Sequence, residues 1–450
     1  MHSSLSLSNF SKLPSSLKIR ATAVASGALQ ETQALHNDLE RIPRRYLPFL
    51  LPAFHSALNT AHIPAILTRF NSLGLADIRT DVLQAHLCLG GMRKLAVSKV
   101  ISADALPDLW RTAWQWIQFL DEYHDSFSGD SVDADTRYNT FLSLMRYLHG
   151  NDPQKPFFDS TTGVYVVVGR AWRHFIHGRD PLRGLSDVSY FLGLWFKGST
   201  WGSAALEELF VGSGGTRTDL ASMVVSHIKR FLPNPDSVVT QETFFHFMGV
   251  LSMVAGKSVT GHYDYAFRDA LLLCGIVNAL TTTAAALCHS THPSARHLLE
   301  VVLPTLVDQI ASLPPMRLPE ALRAGLLEIL FSSHNRNAIS PVFISFLEEI
   351  FAPATICHPV LVQLQISLPQ VPHRDAAAIF RDPALLTRWE SLIETIESRF
   401  RILDEYRTGT LTAMRACDAL ECATICPKKR AQGLQWMLNY ILLLHNMSNQ

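Results

Sequence analysis

Apolar residues recur every three or four positions along much of the chain, which is the spacing of one face of an α-helix. Between Pro107 and Tyr123 this stripe consists of Leu109, Ala113, Ile117 and Leu120. A second stripe follows Asp382 and Pro383, a pair typical of a helix start, and it comprises Leu386, Trp389, Ile393, Ile396 and Phe400. Both segments are predicted to be helices.

Two further segments show the same spacing. The valine-rich run "GVYVVVGRAWRHFI" suggests a strand, but Val164, Val168, Trp172 and Phe175 keep helical spacing beyond Gly169, so a helix is predicted. The segment "PEALRAGLLEILF" is predicted to be one helix that begins at Pro319 and carries Leu322, Leu326, Leu327 and Leu330 on one face.

Most prolines fall between these periodic segments, where they end one helix or begin the next. No alternating strands joined by Asn-Gly or Asp-Gly turns are visible, so the predicted class is all-α. No fixed repeat length is apparent, which leaves an armadillo-like solenoid and an irregular helical bundle open. The predicted divisions are a segment over 1–30 for which partial disorder stays open, a helical body over 31–410 and a tail over 411–450.

Composition restricts the partners. The 39 Lys and Arg balance the 39 Asp and Glu, so no overall field attracts nucleic acid or an anionic membrane, and neither partner is predicted. The uncharged run Ala270 to Cys288 is long enough to span a bilayer, but Asn278 and three threonines within it favour a buried helix.

Seven cysteines are thinly spread and follow no signal-peptide pattern, which favours a reducing compartment, cytoplasmic or nuclear. The first thirty residues contain Lys12, Lys18 and Arg20, many serines and no acid, so a mitochondrial leader remains an alternative to a first amphipathic segment of the folded body.

Candidate chemistry is sparse. Gly256-Lys257-Ser258 lacks the glycine that a phosphate-binding loop needs at position 251, and no H-E-x-x-H pair occurs. In "FLDEYHDSF", Asp121 and Asp125 lie one helical turn apart beside Glu122 and resemble the aspartate-rich motif of class I terpene synthases. The alternative function is therefore a magnesium-dependent diphosphate-using enzyme. The simpler interpretation is that these acids form the polar, exposed end of the helix.

Three cysteines lie close together near the C-terminus: Cys417 and Cys422 form a C-x4-C pair, and Cys426 follows. Thiolates are good zinc ligands, but a structural zinc site needs four ligands. The run "YRTGTLTAMRACDALECATIC" resembles the start of the MYND-type zinc finger in proteins of mushroom-forming fungi, whose finger follows a long helical body. The resemblance extends weakly over the N-terminal "LSLSNFSKLPSSLKIRATAVASG" and "LPDLWRTAWQWIQFLDEY".

This resemblance implies that Cys417 and Cys422 are the first zinc-ligand pair and that the protein is a non-enzymatic interaction scaffold, since MYND fingers dock short proline-containing peptides. A complete finger uses about seven cysteines and one histidine, and those later ligands do not follow Cys426. We therefore expect a truncated finger, no zinc unless further ligands complete it, and a protein or peptide partner.

Overall fold

The computed structural model describes residues 2–123, 133–151, 160–178, 182–197, 203–231, 248–251, 253–254, 264–290, 293–332, 342–372, 375–380 and 382–408. The chain divides into two units, Met1–Leu392 and Ile393–Gln450. The second unit is described only over residues 393–408, which belong to a helix. The division therefore falls before the predicted boundary at 410, and the three predicted segments stay predictions.

Every regular element among the described residues is a helix, which confirms the all-α class. The α-helices are α1 Ser15–Ala25, α2 Leu29–Asp38, α3 Leu51–Ala57, α4 Ile63–Leu73, α5 Leu75–Val97, α6 Leu106–Glu122, α7 Ala134–Asn151, α8 Val164–His177, α9 Leu182–Lys197, α10 Ser203–Ser213, α11 Arg217–Arg230, α12 Tyr265–Leu273, α13 Ile276–His289, α14 Pro293–Ser312, α15 Pro314–Arg323, α16 Leu326–Phe331, α17 Val342–Ala354, α18 His358–Ser367, α19 Ala376–Ile379 and α20 Pro383–Arg407.

The N-terminal helices pack around α5, which contacts α2, α3, α4 and α7. The N-terminal segment 1–30 contains α1 and the 3-10 helices Ser3–Leu5 and Leu7–Lys12. The α6 prediction is confirmed, and all four residues of its predicted stripe are buried. The Trp116 indole donates to the carbonyl oxygen of Leu58 over 3.0 Å, which joins α6 to the end of α3.

The middle of the first unit consists of two rows of helices. The first row contains α8, α11 and α13, each in contact with the next, and the second row contains α10, α12, α15 and α18. Each first-row helix packs against one of the second row: α8 against α10, α11 against α12 and α13 against α15. This arrangement fits a helical repeat, in which neighbouring units bury one continuous core.

Two groups of three helices repeat each other: α8, α9 and α10 form the first copy, and α13, α14 and α15 form the second. The same interval of 112 residues separates α8 from α13 at both helix ends, and the third helices, α10 and α15, follow at similar distances. Every buried position of α8 has a buried counterpart in α13 at this interval. Structure therefore reveals a spacing that the sequence alone did not.

The two copies share the same capping arrangement at the start of the first helix. Gly163 and Gly275 precede α8 and α13 with φ of 89° and 84°, in the left-handed region that glycine adopts without a side-chain clash. A glutamate from the third helix then binds free backbone N–H groups of the first. Glu208 accepts from the N–H of Gly163 over 2.7 Å and of Tyr165 over 3.1 Å.

In the second copy, Glu320 takes the place of Glu208 at the same 112-residue interval and accepts from the N–H of Asn278 over 3.3 Å. The first N–H groups of a helix have no partner inside the helix and carry a partial positive charge, so a carboxylate there satisfies donors and interacts favourably with the helix dipole. Each glutamate thus fixes the third helix of its copy to the first.

The copies differ where the first and third helices cross. A Cβ atom built on Gly212 would lie 2.3 Å from the carbonyl oxygen of Val166, and one on Gly169 would lie 2.9 Å from Cα of Gly212. The backbones of α8 and α10 therefore touch through two glycines. The corresponding residues of the second copy are Thr281 and Ala324, which both carry Cβ.

Two predicted helices are each interrupted by a glycine. The segment predicted to start at Pro319 is split between α15 and α16 by Gly325 (φ 101°), so Pro319 lies inside a helix rather than opening one. The uncharged run from Ala270 to Cys288 is likewise split at Gly275 into α12 and α13. The predictions of single helices were wrong, although the four leucines of the first stripe are all buried.

Within the described residues, no single helix is long and apolar enough to cross a membrane. The pair of α12 and α13, bent by 67°, and the pair of α17 and α18, bent by 119°, reach the required length and composition only together.

The predicted helix start at Pro383 is confirmed, because the Asp382 carboxylate accepts from the N–H of Ala384 over 2.9 Å. The buried stripe of α20 is shifted from the predicted one: Trp389 and Ile396 are buried as predicted, but Leu385 replaces Leu386, Leu392 replaces Ile393, and Leu403 replaces Phe400. In the first unit, the Trp389 ring packs edge-on against Phe331 at 5.0 Å between ring centroids.

Candidate functional site

The residues that the sequence singled out for metal chemistry are largely not placed. Cys417 and Cys422, the predicted zinc ligands, lie outside the described residues, as do Cys426, Asp125 and the Gly256-Lys257-Ser258 segment. In the parts of the chain that the structure describes, no group of three or more His, Cys, Asp or Glu side chains is arranged to hold a metal ion.

Asp121, the first acid of the predicted diphosphate motif, is buried. Its carboxylate accepts from the Arg170 guanidinium over 2.6 Å, which links the end of α6 to α8. Glu122 points to solvent, as the simpler interpretation predicted, but Asp121 is only 2% exposed, so that interpretation was wrong for this residue. The partner lies 49 residues away in the sequence.

Tyr138 on α7 lies close enough to this pair for the charge of Asp121 to act on its phenol. Burial, followed by the negative charge of Asp121, raises the pKa of Tyr138, so the phenol stays protonated. Removing Arg170 would leave the buried carboxylate of Asp121 without its cation. Asp121, Arg170 and Tyr138 form a polar cluster on α6, α8 and α7.

A second buried polar chain involves a serine and a histidine but does not form a nucleophile. The Trp172 indole, which can only donate, gives its hydrogen to Nδ1 of His227 over 3.0 Å. Neutral His227 then carries its proton on Nε2, which faces the Ser189 hydroxyl at 3.3 Å. In this tautomer the imidazole donates to the serine and cannot take its proton, and all three side chains are buried.

Large apolar side chains are exposed along the second row of helices. Leu273 on α12 is 79% exposed, and Met316 on α15, Val211 on α10 and Ile366 on α18 are each more than half exposed. We call these four residues the apolar face. Scattered exposed apolar residues are common, but a series on successive helices of one row is typical of an interaction surface.

Hydrogen bonds connect the helices of the second row that carry these residues. The carbonyl oxygen of Leu272 accepts from the Arg317 guanidinium over 3.3 Å, so Leu273 and Met316 each lie one residue from the same contact. On α18, Ser367 next to Ile366 donates to the carbonyl oxygen of Leu322 on α15. Leu273, Met316 and Ile366 therefore lie on three helices that are connected by hydrogen bonds.

At the α10 end, Val211 follows Phe210, whose ring packs against Phe267 of α12 at 5.7 Å between centroids. The Arg217 guanidinium lies over the Phe210 ring and also binds the carboxylates of Glu207 and Asp264 over 3.2 and 2.9 Å. The rim of the face is thus charged but locally neutralised, as is usual around the apolar centre of a protein interface.

Sequence reasoning missed the apolar face and both capping glutamates. Tyr265, Asp269 and Leu273 share the exposed face of α12 at spacings of four residues. Because Leu273 lies on the same helix face as Asp269, this spacing was the signal from which its exposure could have been predicted. The capping role of Glu208 and Glu320 has no local signal, because each binds a helix more than forty residues earlier.

Comparison of the chain with family models, with curated proteins and with solved structures gave no match.

Proposed function

We propose that the protein is a non-enzymatic protein-interaction scaffold whose helical body binds an amphipathic helix of a partner protein on the apolar face. The observation that carries the proposal is the series of exposed apolar side chains on α10, α12, α15 and α18. Adjacent helices leave grooves between them, and an amphipathic helix places apolar residues at i, i+3, i+4 and i+7 into such a groove.

Electrostatics support a protein partner over a polyanion. The chain has no net charge, and the one arginine at the α10 end of the face is already paired with two carboxylates. The resemblance of the segment around Cys417 and Cys422 to MYND-type fingers of mushroom-forming fungi agrees with a scaffold role, and membership of that family is part of the proposal. A cytoplasmic or nuclear location follows from the same interpretation.

The test uses a fluorescein-labelled designed peptide with leucines on one helical face and a scrambled peptide of the same composition that has no apolar stripe. We expect fluorescence anisotropy to show saturable binding of the helical peptide only. The double change Leu273→Asp and Met316→Asp should weaken it at least about tenfold, because two charges would be buried in an apolar contact.

The matched control is Leu73→Asp on α4, a leucine 66% exposed away from the apolar face, which should leave binding unchanged. Equal binding of the scrambled peptide, or equal loss in the control, would overturn the proposal. Light scattering on the unliganded protein gives its mass in solution. A dimer that the double change converts to a monomer would show that the face binds a second copy instead.

A further inference from the structure

An open cleft of about 530 Å3 lies between the 3-10 helix Leu7–Lys12 and α1. Leu7 and Ala25 provide apolar surface, Ser8, Ser11, Thr22 and Ser26 provide hydroxyl groups, and Lys18 provides a positive charge. Leu7 is 46% exposed, so an apolar side chain remains available at the cleft. This cleft belongs to neither the apolar face nor the polar cluster around Asp121.

Of the four hydroxyl groups that line the cleft, Ser8 shares a hydrogen bond with the Ser6 hydroxyl, and the other three are restricted to one role. Ser11 donates to the carbonyl oxygen of Ser8 over 2.8 Å, Thr22 to that of Lys18 over 2.9 Å and Ser26 to that of Ala23 over 2.9 Å. Since a hydroxyl has one hydrogen and two lone pairs, each can offer a ligand only acceptor sites. A ligand that binds Ser11, Thr22 and Ser26 must therefore donate hydrogen bonds, as peptide N–H groups do and a fatty-acid carboxylate does not.

The charge around the cleft is positive. The first thirty residues contain no Asp or Glu, and of their three cations only Arg20 forms an ion pair in the described structure, with Asp38 at 2.8 Å and Glu31 at 3.5 Å. Lys12 donates to the Asn9 side chain and lies over the Phe49 ring. In the described part of the chain, the Lys18 ammonium has no carboxylate within ion-pair distance, so a carboxylate on the ligand would supply its partner.

We infer that this cleft binds an extended acidic peptide. Backbone N–H groups of the peptide donate to the Ser11, Thr22 and Ser26 hydroxyls, an apolar side chain covers Leu7 and Ala25, and a carboxylate pairs with Lys18. This inference goes beyond the proposed function and does not depend on it, because the cleft and the apolar face share no residue.

The test is titration of fluorescein-labelled Glu-Leu-Glu-Leu-Glu and Lys-Leu-Lys-Leu-Lys peptides into the full chain, followed by anisotropy. We expect saturable binding of the acidic peptide only, weakened by added salt. Lys18→Gln should weaken it about fivefold, the range of a partly exposed ion pair. Thr22→Val keeps the side-chain shape but removes the acceptor, and should weaken it about threefold.

Matched controls separate local from general effects. Lys229→Gln changes an exposed helical lysine elsewhere, and Thr68→Val removes a threonine hydroxyl that donates to the carbonyl oxygen four residues earlier, at Pro64, as Thr22 does at Lys18. Neither control should alter binding of the acidic peptide, nor should Leu273→Asp with Met316→Asp. The inference is overturned if both peptides bind equally, if neither saturates, or if the controls lose as much binding as Lys18→Gln and Thr22→Val.

Discussion

The first copy, from α8 to α10, and the second copy, from α13 to α15, have the same arrangement of helices but different contacts. Both begin with a left-handed glycine, and in both a glutamate from the third helix binds the start of the first. Their apolar crossings differ, with two glycines touching in the first copy and residues that carry Cβ in the second. The polar cap is therefore the shared part of the design.

This difference indicates that the choice of side chains is more restricted at the helix start than at the helix crossing. A helix start needs particular partners for its N–H groups, which limits the side chains that can serve there. An apolar crossing needs only matching shapes, and different combinations of residue volumes satisfy it. The first copy gains a closer approach of its helices and becomes less tolerant of added atoms.

The largest effect is expected from Gly212→Ala. The new methyl group would lie 2.3 Å from the Val166 carbonyl oxygen, a backbone atom that cannot rotate away. Overpacking of this kind should lower the free energy of unfolding by about 3 kcal/mol, measured by urea denaturation. At the corresponding position of the second copy, Ala324 already carries this methyl group.

The control for this change is Gly150→Ala in α7, where the nearest atom to the new Cβ is the Tyr190 hydroxyl at 3.6 Å. Alanine favours helices over glycine, so this variant should be unchanged or more stable by up to about 1 kcal/mol. A Gly212→Ala protein as stable as the wild type would show that α8 and α10 do not cross closely.

A smaller effect is expected from replacing the capping glutamates. Glu208→Gln should destabilise the protein by about 1.5 kcal/mol, because a charged acceptor of two helix N–H groups is lost. Glu320→Gln should cost about 0.5 kcal/mol, since Glu320 accepts from only one such group over a longer distance. Thermal unfolding followed by circular dichroism measures both.

Glu207→Gln is the matched control for the caps, because Glu207 precedes Glu208 and, among the described residues, forms an exposed ion pair with Arg217 rather than a bond to a helix start. It should change stability by less than about 0.5 kcal/mol. If Glu208→Gln behaved like this control, the carboxylate would not be holding the start of α8.

The smallest expected difference, that between the stability losses of two matched glycine variants, tests whether the two copies are equivalent. Gly163→Ala and Gly275→Ala place a Cβ at positive φ with no atom closer than 3.5 Å, so only backbone strain should count. Each should lose about 1 kcal/mol, and the two losses should agree. Unequal losses in urea denaturation would show that the two glycines differ in backbone strain.

The sequence was sufficient for the helical class and for several helix positions, because amphipathic spacing is local. It predicted α6 and α8 correctly, the latter against a run of valines that favours strands. It failed at Gly275 and Gly325, where apolar residues continue on both sides of the break. The spacing of apolar residues indicates which positions are buried, but it does not indicate where a glycine with positive φ ends the helix.

The candidate sites depended on contacts that no local pattern contains. Burial of Asp121 follows from Arg170, far along the chain, and exposure of Leu273 follows from what packs against the opposite side of α12. The repeat was missed because the interval preserves few side chains besides the glycine and the glutamate. What recurs is the pattern of burial, which only the folded chain displays.

The glutamate caps also impose an order on synthesis. Glu208 follows the Gly163 N–H that it binds by 45 residues, and Glu320 follows Asn278 by 42. As the chain leaves the ribosome, α8 emerges long before its cap is made, and so does α13. Each first helix therefore stays uncapped until its third helix has been translated, so the first and third helices of a copy become complete together rather than one by one.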